Sequence, residues 1–204
     1  MVISKRVLTF LLCVALIVGI GFACRNLHEA KPVESTTVTA TVSRRTSQNS
    51  EQTEKATVVR VVDGDTLVTS NTSGQEQKVR LIGVNTPESV SNSESKNCAE
   101  GREASAYTKS VLTPGKTVYL EYDAGRTDKY GRTLAYVWLD NSTNTTSLNE
   151  LSSHMFNAML LAKGFANTME IEPNVKYALS FEIIKQQAQN NQVGFWSHEQ
   201  NFVW

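Results

Sequence analysis

Ala56-Thr57-Val58-Val59-Arg60-Val61-Val62-Asp63-Gly64-Asp65-Thr66-Leu67-Val68-Thr69 is the stretch on which the fold turns. Residues 56–62 are mostly β-branched, and such side chains suit a pleated strand better than a helix. Asp63-Gly64-Asp65 then supplies a turn, since aspartate bonds to its own neighbouring backbone and glycine accepts torsions that other residues resist. The β pattern resumes at Thr66, so the spacing predicts a hairpin. Working outward, Asn71 to Gln75 reads as a second turn and Lys78 to Val84 as a third strand. Thr117 to Tyr122 and Thr133 to Leu139 read as a later pair around a glycine-containing loop. Glu100 to Leu112 is helical in composition and stops at Pro114-Gly115, with further helical stretches at Met155 to Ala162 and Val175 to Gln189. In the last of these, Tyr177, Leu179, Phe181, Ile184 and Ala188 are read as an apolar stripe facing the core. Strands first, one helix inside the strand series and helices at the end argue for an α+β fold rather than an alternating parallel sheet. Five strands of this length suit closure as an OB-type barrel.

The remainder of the chain sets limits on function. Its 204 residues hold one ordinary domain plus extensions, at roughly 100 to 200 residues per domain. Twenty Lys and Arg are balanced by twenty Asp and Glu, and from Lys55 onward 14 basic residues face 16 acidic ones. That excludes a general polycation, so any phosphate binding has to be local. One segment alone is apolar enough to meet a bilayer, which excludes a multi-span membrane protein: Lys5 and Arg6 precede an uncharged run from Val7 to Ala23, the layout of an export signal. The run exceeds the ~7 to 15 residues of a signal core and sits at the low end of the ~17 to 25 that span a membrane. Residues 1–24 are therefore read as a signal peptide, a lipoprotein signal modified at Cys24 or a retained anchor, since Gly21-Phe22-Ala23-Cys24 resembles a bacterial lipoprotein box. All three export the protein, either secreted or on the outer face of the cell membrane. Residues 25–54, rich in Ser, Thr, Gln and Glu, are read as a disordered linker, 55–198 as the globular domain and 199–204 as a tail. Cysteines at 13, 24 and 98 without a CxxC pair exclude a disulfide scaffold and a Cys-rich zinc site, and Cys98 is expected as a free thiol.

Four clusters concentrate the residues that carry chemistry. Asp63-Gly64-Asp65-Thr66 places two carboxylates in one turn, a pattern that serves either turn geometry or a hard cation. Arg80 stands five residues ahead of Asn85 in the run Asn85-Thr86-Pro87-Glu88. It alternates with Leu81 on the strand, so by itself it reads as a solvated arginine on the outer face. Arg126-Thr127-Asp128-Lys129-Tyr130-Gly131-Arg132 crowds cations and a tyrosine around a glycine. Asn157, entering a helix, reads as a capping or turn residue.

Order and spacing make the set far more specific than its members. From Lys55 to about Ser197 the chain resembles the staphylococcal nuclease (thermonuclease) family, through VVDGDT at 61–66, VRLIGVNTPE at 79–88, GREASAYTK at 101–109 and RTDKYGRTLAYVW at 126–138. The resemblance implies an OB-fold five-stranded barrel with three helices. It further implies a calcium-dependent phosphodiesterase acting on DNA and RNA, single-stranded or as locally open duplex; the protein is expected as a monomer, and the apolar N-terminal run makes the membrane a further partner. By that resemblance Asp65, the side chain of Asn85 and the main-chain carbonyl of Thr86 are calcium ligands, with Asp63 in support. Glu88 takes a proton from the attacking water or orients it, Arg80 and Arg132 grip phosphate oxygens, and Lys129 and Tyr130 flank a terminal phosphate or sugar. Such roles suit the residue types: calcium takes oxygen donors of mixed kind, and a guanidinium pairs two phosphate oxygens at once. Two departures matter. The family's best-known members carry aspartate where Asn85 stands, which implies weaker calcium binding. They also carry base-stacking tyrosines where Met169 and Ile171 stand, which implies weaker substrate binding. These departures motivate a competing reading, a catalytically weak or silent OB-fold module that binds nucleic acid or a protein at the cell surface. Retention of Glu88 and both arginines argues for the enzyme.

Overall fold

β1 (Thr53–Asp63), β2 (Thr66–Asn71) and β3 (Glu76–Leu81) run as an antiparallel meander whose first turn is Gly64-Asp65. The computed structural model describes residues 53–89, 98–142 and 145–197, so the readings for 1–24, for residues 25–52 of the linker and for 199–204 lie outside the described residues. β5 (Thr117–Glu121) pairs antiparallel with β1, and β6 (Thr133–Trp138) pairs antiparallel with β5 and parallel with β3. The five strands close into a barrel in the order β1-β2-β3-β6-β5, which leaves no open edge. Register shifts in β1 between Val58 and Arg60, and again between Val61 and Asp63, provide the bulges that let a long strand bend round the closure. Val58, Leu67, Val79, Leu81, Val118, Leu120, Leu134 and Val137 are buried and belong to one hydrophobic core.

Among the described residues four α-helices pack around the barrel: α1 (Ala99–Val111), α2 (Leu148–His154), α3 (Phe156–Ala162) and α4 (Ala178–Asn190). The expected count was three. The fourth is α2, which Met155 separates from the expected helix by staying extended at φ −102° and ψ 119° and pairing with Trp138 of β6. α2 escapes a sequence reading because Leu148 and Leu151 are its only large apolar residues amid polar ones. Two-residue strands β4 (Val84–Asn85) and β7 (Asn167–Thr168) pair with each other outside the barrel and are too short to carry a periodic signal. The first strand starts two residues before the expected Lys55, because Thr53 and Glu54 pair with Glu121 and Leu120. In α4 and the turn before it, Tyr177, Phe181, Ile184 and Ala188 are buried, whereas Leu179 is 76 % exposed. Spacings of four, three and four keep the first set on one face, and a residue two positions from Tyr177 falls on the other.

Asn157 is neither a cap nor a turn residue. Fully buried, it accepts from Val137 N at 2.9 Å and donates to Ile82 O at 2.8 Å, fastening α3 to β6 and to the chain just past β3. A second buried tie is Glu121, whose carboxylate accepts from Trp138 Nε1 at 2.6 Å, Lys176 Nζ at 2.5 Å and the Tyr177 hydroxyl at 3.1 Å. Asn157→Ala strands a backbone donor and acceptor in the core, so urea unfolding should show a loss of about 3 kcal/mol or more. A loss well under 1 kcal/mol would contradict the role given to this side chain.

Candidate nucleic-acid cleavage site

The turn between β1 and β2 fixes the first site residue. Asp65 is buried and its Oδ2 accepts from Thr86 N at 3.1 Å, which fastens the loop after β4 to the hairpin. Gly64 is required by that contact: a Cβ there would lie 2.6 Å from Thr86 Oγ1. Thr108 of α1 completes the junction by donating to Gly64 O at 2.7 Å.

Arg80 is not solvated as expected. Val79 and Leu81 fill the barrel interior, and Arg80 lies on the other face, where the chain folds back over it and leaves it only 4 % exposed. Its Nη1 donates to Leu81 O at 3.0 Å and Val84 O at 2.8 Å. Its Nη2 reaches Asp65 Oδ2 at 3.0 Å, Asn85 Oδ1 at 3.2 Å and Met169 Sδ at 4.0 Å. Burial pulls the guanidinium below its ordinary value, with Arg132 adding to that pull and the charges of Asp65, Glu88 and Asp128 opposing it. Arginine nevertheless remains a cation in proteins. Charges from three separate stretches of sequence, Asp65, Glu88 and the Asp128–Arg132 pair, thus bear on Arg80.

The segment 126–132 is organised by Asp128, which the sequence reading passed over. Asp128 Oδ1 accepts from Tyr130 N and Arg132 N, both at 2.9 Å, and Oδ2 accepts from Arg132 Nε at 2.6 Å. Gly131 closes the turn at φ +77°. The available signal was an aspartate two residues before an exposed tyrosine and three before glycine, the signature of an Asx turn. With Nε committed, the two η nitrogens of Arg132 are left for a further anion. Tyr130 is 72 % exposed, and Lys129 Nζ and Arg132 Cζ lie 5.1 and 5.5 Å from its ring centre. The structure therefore places Lys129 and Tyr130 on the outer side of this loop beside Arg132.

Asp65, Asn85 and Thr86 are drawn together by the contacts of Arg80 Nη2 and Thr86 N. An all-oxygen set of one carboxylate, one amide and one main-chain carbonyl fits a hard cation such as calcium, with further oxygens coming from water and phosphate. Asp65 is the charged member of that set, and Asn85 offers a neutral amide oxygen where a second carboxylate would bind more strongly. Met169 is 39 % exposed, and its sulfur, not an aromatic ring, adjoins Arg80. The contacts of Asp63 run to Gly64 and Ser89. Cys98 carries a free thiol at the N-cap of α1.

A family model described as staphylococcal nuclease homologue matches residues 78–198. The thermonuclease of Staphylococcus hyicus is 41 % identical over 152 residues, covering 74 % of this chain and 80 % of the relative. The thermonuclease of Staphylococcus intermedius is likewise 41 % identical, over 143 residues, covering 70 % and 76 %. Endonuclease YncB of Bacillus subtilis (strain 168) is 32 % identical over 213 residues, covering 95 % and 92 %.

Partial burial raises the Asp128 carboxyl, but the hydrogen bonds from Arg132 and Tyr130 outweigh it and hold the group below the ordinary aspartate value of 3.8. A depressed carboxylate contributes stability that is present above its unfolded value and is lost as pH falls through its lower folded value. A carbon-detected NMR titration should therefore give Asp128 a midpoint below 3.8. In Asp128→Asn the Tyr130 and Arg132 amide resonances should shift; a midpoint at or above the ordinary value would contradict the loop's construction.

Proposed function

The chain belongs to the staphylococcal nuclease family and is a nuclease, and we propose that it is exported, depends on calcium and hydrolyses phosphodiester bonds of DNA and RNA with little sequence preference. The observation that carries this reading is the buried ion pair of Arg80 with Asp65, on which the charges of Arg132 and Glu88 also bear. A phosphodiester is an anion that resists attack by water, so catalysis needs positive charge at phosphorus and a base beside the nucleophile. Calcium, when bound, supplies a dispersed positive charge and an oriented water. Asp65, Asn85 Oδ1 and the Thr86 carbonyl would hold it.

The chain's own groups account for the rest. Arg80 is preset by its bonds to the Leu81 and Val84 carbonyls, so little side-chain entropy remains to be lost when its Nη2 side meets a phosphate. Arg132 is aimed by Asp128 in the same way, and the two guanidinium groups grip the oxygens on which charge builds. Glu88, exposed at the end of the Thr86-Pro87 loop, takes the proton of the attacking water. Lys129 and Tyr130 flank a terminal phosphate or sugar. Export rests on Lys5, Arg6 and the uncharged run to Ala23, with Cys24 available for lipid attachment at the outer membrane face. The domain acts as a monomer.

Incubating the full chain with plasmid and with RNA should give cleavage of both in millimolar calcium and none in excess chelator. Binding without turnover at millimolar calcium would overturn the reading in favour of a silent module. Glu88→Gln and Arg132→Ala should each lower kcat by about 10²-fold or more with thermal midpoints unchanged. Wild-type rates in both would overturn the role assignment.

A further inference from the structure

Resting on the proposed role of Glu88, we infer that Asp63 and Ser89, with Cys98 and Gly101 of the α1 N-terminus, are positioning residues that hold the Glu88 backbone, and that Asp63 acts through this latch and not through the cation. Asp63 is 7 % exposed at the end of β1. Its carboxylate accepts three hydrogen bonds: Oδ1 takes Gly64 N at 2.8 Å and Ser89 Oγ at 2.5 Å, and Oδ2 takes Ser89 N at 3.3 Å. Two of these go to the residue that follows Glu88. An ionised carboxylate makes such bonds about twice as strong as neutral partners do, so Asp63 is well suited to pin a loop end.

The other side of Glu88 is pinned by α1. The Glu88 main-chain oxygen accepts from Cys98 N at 3.2 Å, and Cys98 Sγ lies 3.8 Å from the same oxygen. Cys98 Sγ in turn accepts from Gly101 N at 3.3 Å, which sets the first turn of the helix against the loop. Gly101 makes that approach possible. A Cβ at this position would fall 2.1 Å from Glu88 O and 2.9 Å from Pro87 O, both rigid backbone atoms. Thr86, two residues earlier, is held by Asp65. The main chain from Thr86 to Ser89 is thus gripped at Thr86, Glu88 and Ser89, while the Glu88 side chain stays exposed to meet a nucleophile.

A displacement of about 1 Å in a reacting group costs on the order of 10²-fold in rate, so loosening this grip should lower kcat by roughly 10-fold to 100-fold. In the full chain, Ser89→Ala and Asp63→Asn should show that loss with KM and the calcium concentration for half-maximal rate unchanged. Ser89→Thr, which keeps the hydroxyl, should recover most of the rate. Amide hydrogen exchange at Ser89 and Cys98, read without calcium, should quicken at least tenfold in Asp63→Asn, a readout independent of turnover. A shift of the calcium requirement matching the loss in kcat would overturn the latch and make Asp63 a support of the cation. Unaltered kcat in Ser89→Ala and Asp63→Asn beside an inactive Glu88→Gln would overturn the latch alone, whereas full activity in Glu88→Gln would overturn the catalytic reading on which it rests.

Discussion

A guanidinium taken out of water needs both counter-charge and acceptors, and Arg80 obtains them from Asp65 and from the carbonyls of Leu81, at the end of its own strand, and Val84 of β4. The local structure around the site depends on that arrangement. Val84 O is available to Arg80 because Val84 and Asn85 pair with β7, and Asp65 is available because the β1–β2 turn is tight enough to bring its carboxylate to Thr86 N. Leaving either ion buried without its partner would cost about 3–5 kcal/mol, so the pair is a constraint on the fold as well as a feature of the site. A well-packed apolar pair would serve stability as well or better, and the retention of charge points to chemistry.

The scaffold divides the work between rigid and adjustable parts. The closed barrel fixes Asp65, in the turn that leads into β2, beside Arg80 of β3, Thr66 lying directly across from Arg80. α1 and the Asp63 carboxylate fix the loop that presents Glu88, and an Asx turn fixes Arg132. Each group to which the proposed function gives a catalytic role is therefore held by backbone bonds or a committed carboxylate, which is the preorganisation that electrostatic stabilisation of a developing charge requires. On the proposed reading the cation end is the variable part: with Asn85 in place of a second carboxylate, attraction for calcium would fall mainly on Asp65, whose own charge is already shared with Arg80.

The barrel strands were legible because β-branched runs and turn residues report local geometry directly. Elements that follow from long-range contacts were not: β4 and β7 exist only as each other's partner, and α2 ends at His154 because Met155 pairs with Trp138 of β6. The same division runs through the site. Asp65, Arg80, Glu88 and Arg132 stood out by order and spacing, yet the burial of Arg80 comes from chain that folds over the barrel, and alternation on β3 placed it in solvent. Asn157 looked like a cap because its sequence position is that of a helix start; its bonds to Ile82 and Val137 reach residues 75 and 20 positions away. Asp128 and Ser89 have short polar side chains in loops, and nothing local separates a residue that orders a loop from one that merely occupies it.

The claim underlying this account is that one cation and two guanidinium groups meet at the mouth of the barrel between the β1–β2 turn and the Asn85-Thr86 loop. An anomalous difference map from crystals grown with calcium and a nucleotide tests it most directly. The account predicts a single strong peak about 2.3–2.6 Å from oxygens of Asp65, Asn85 and the Thr86 main chain, with a phosphate against Arg80 and Arg132. A peak on other residues, or a phosphate seated away from both arginines, would contradict it.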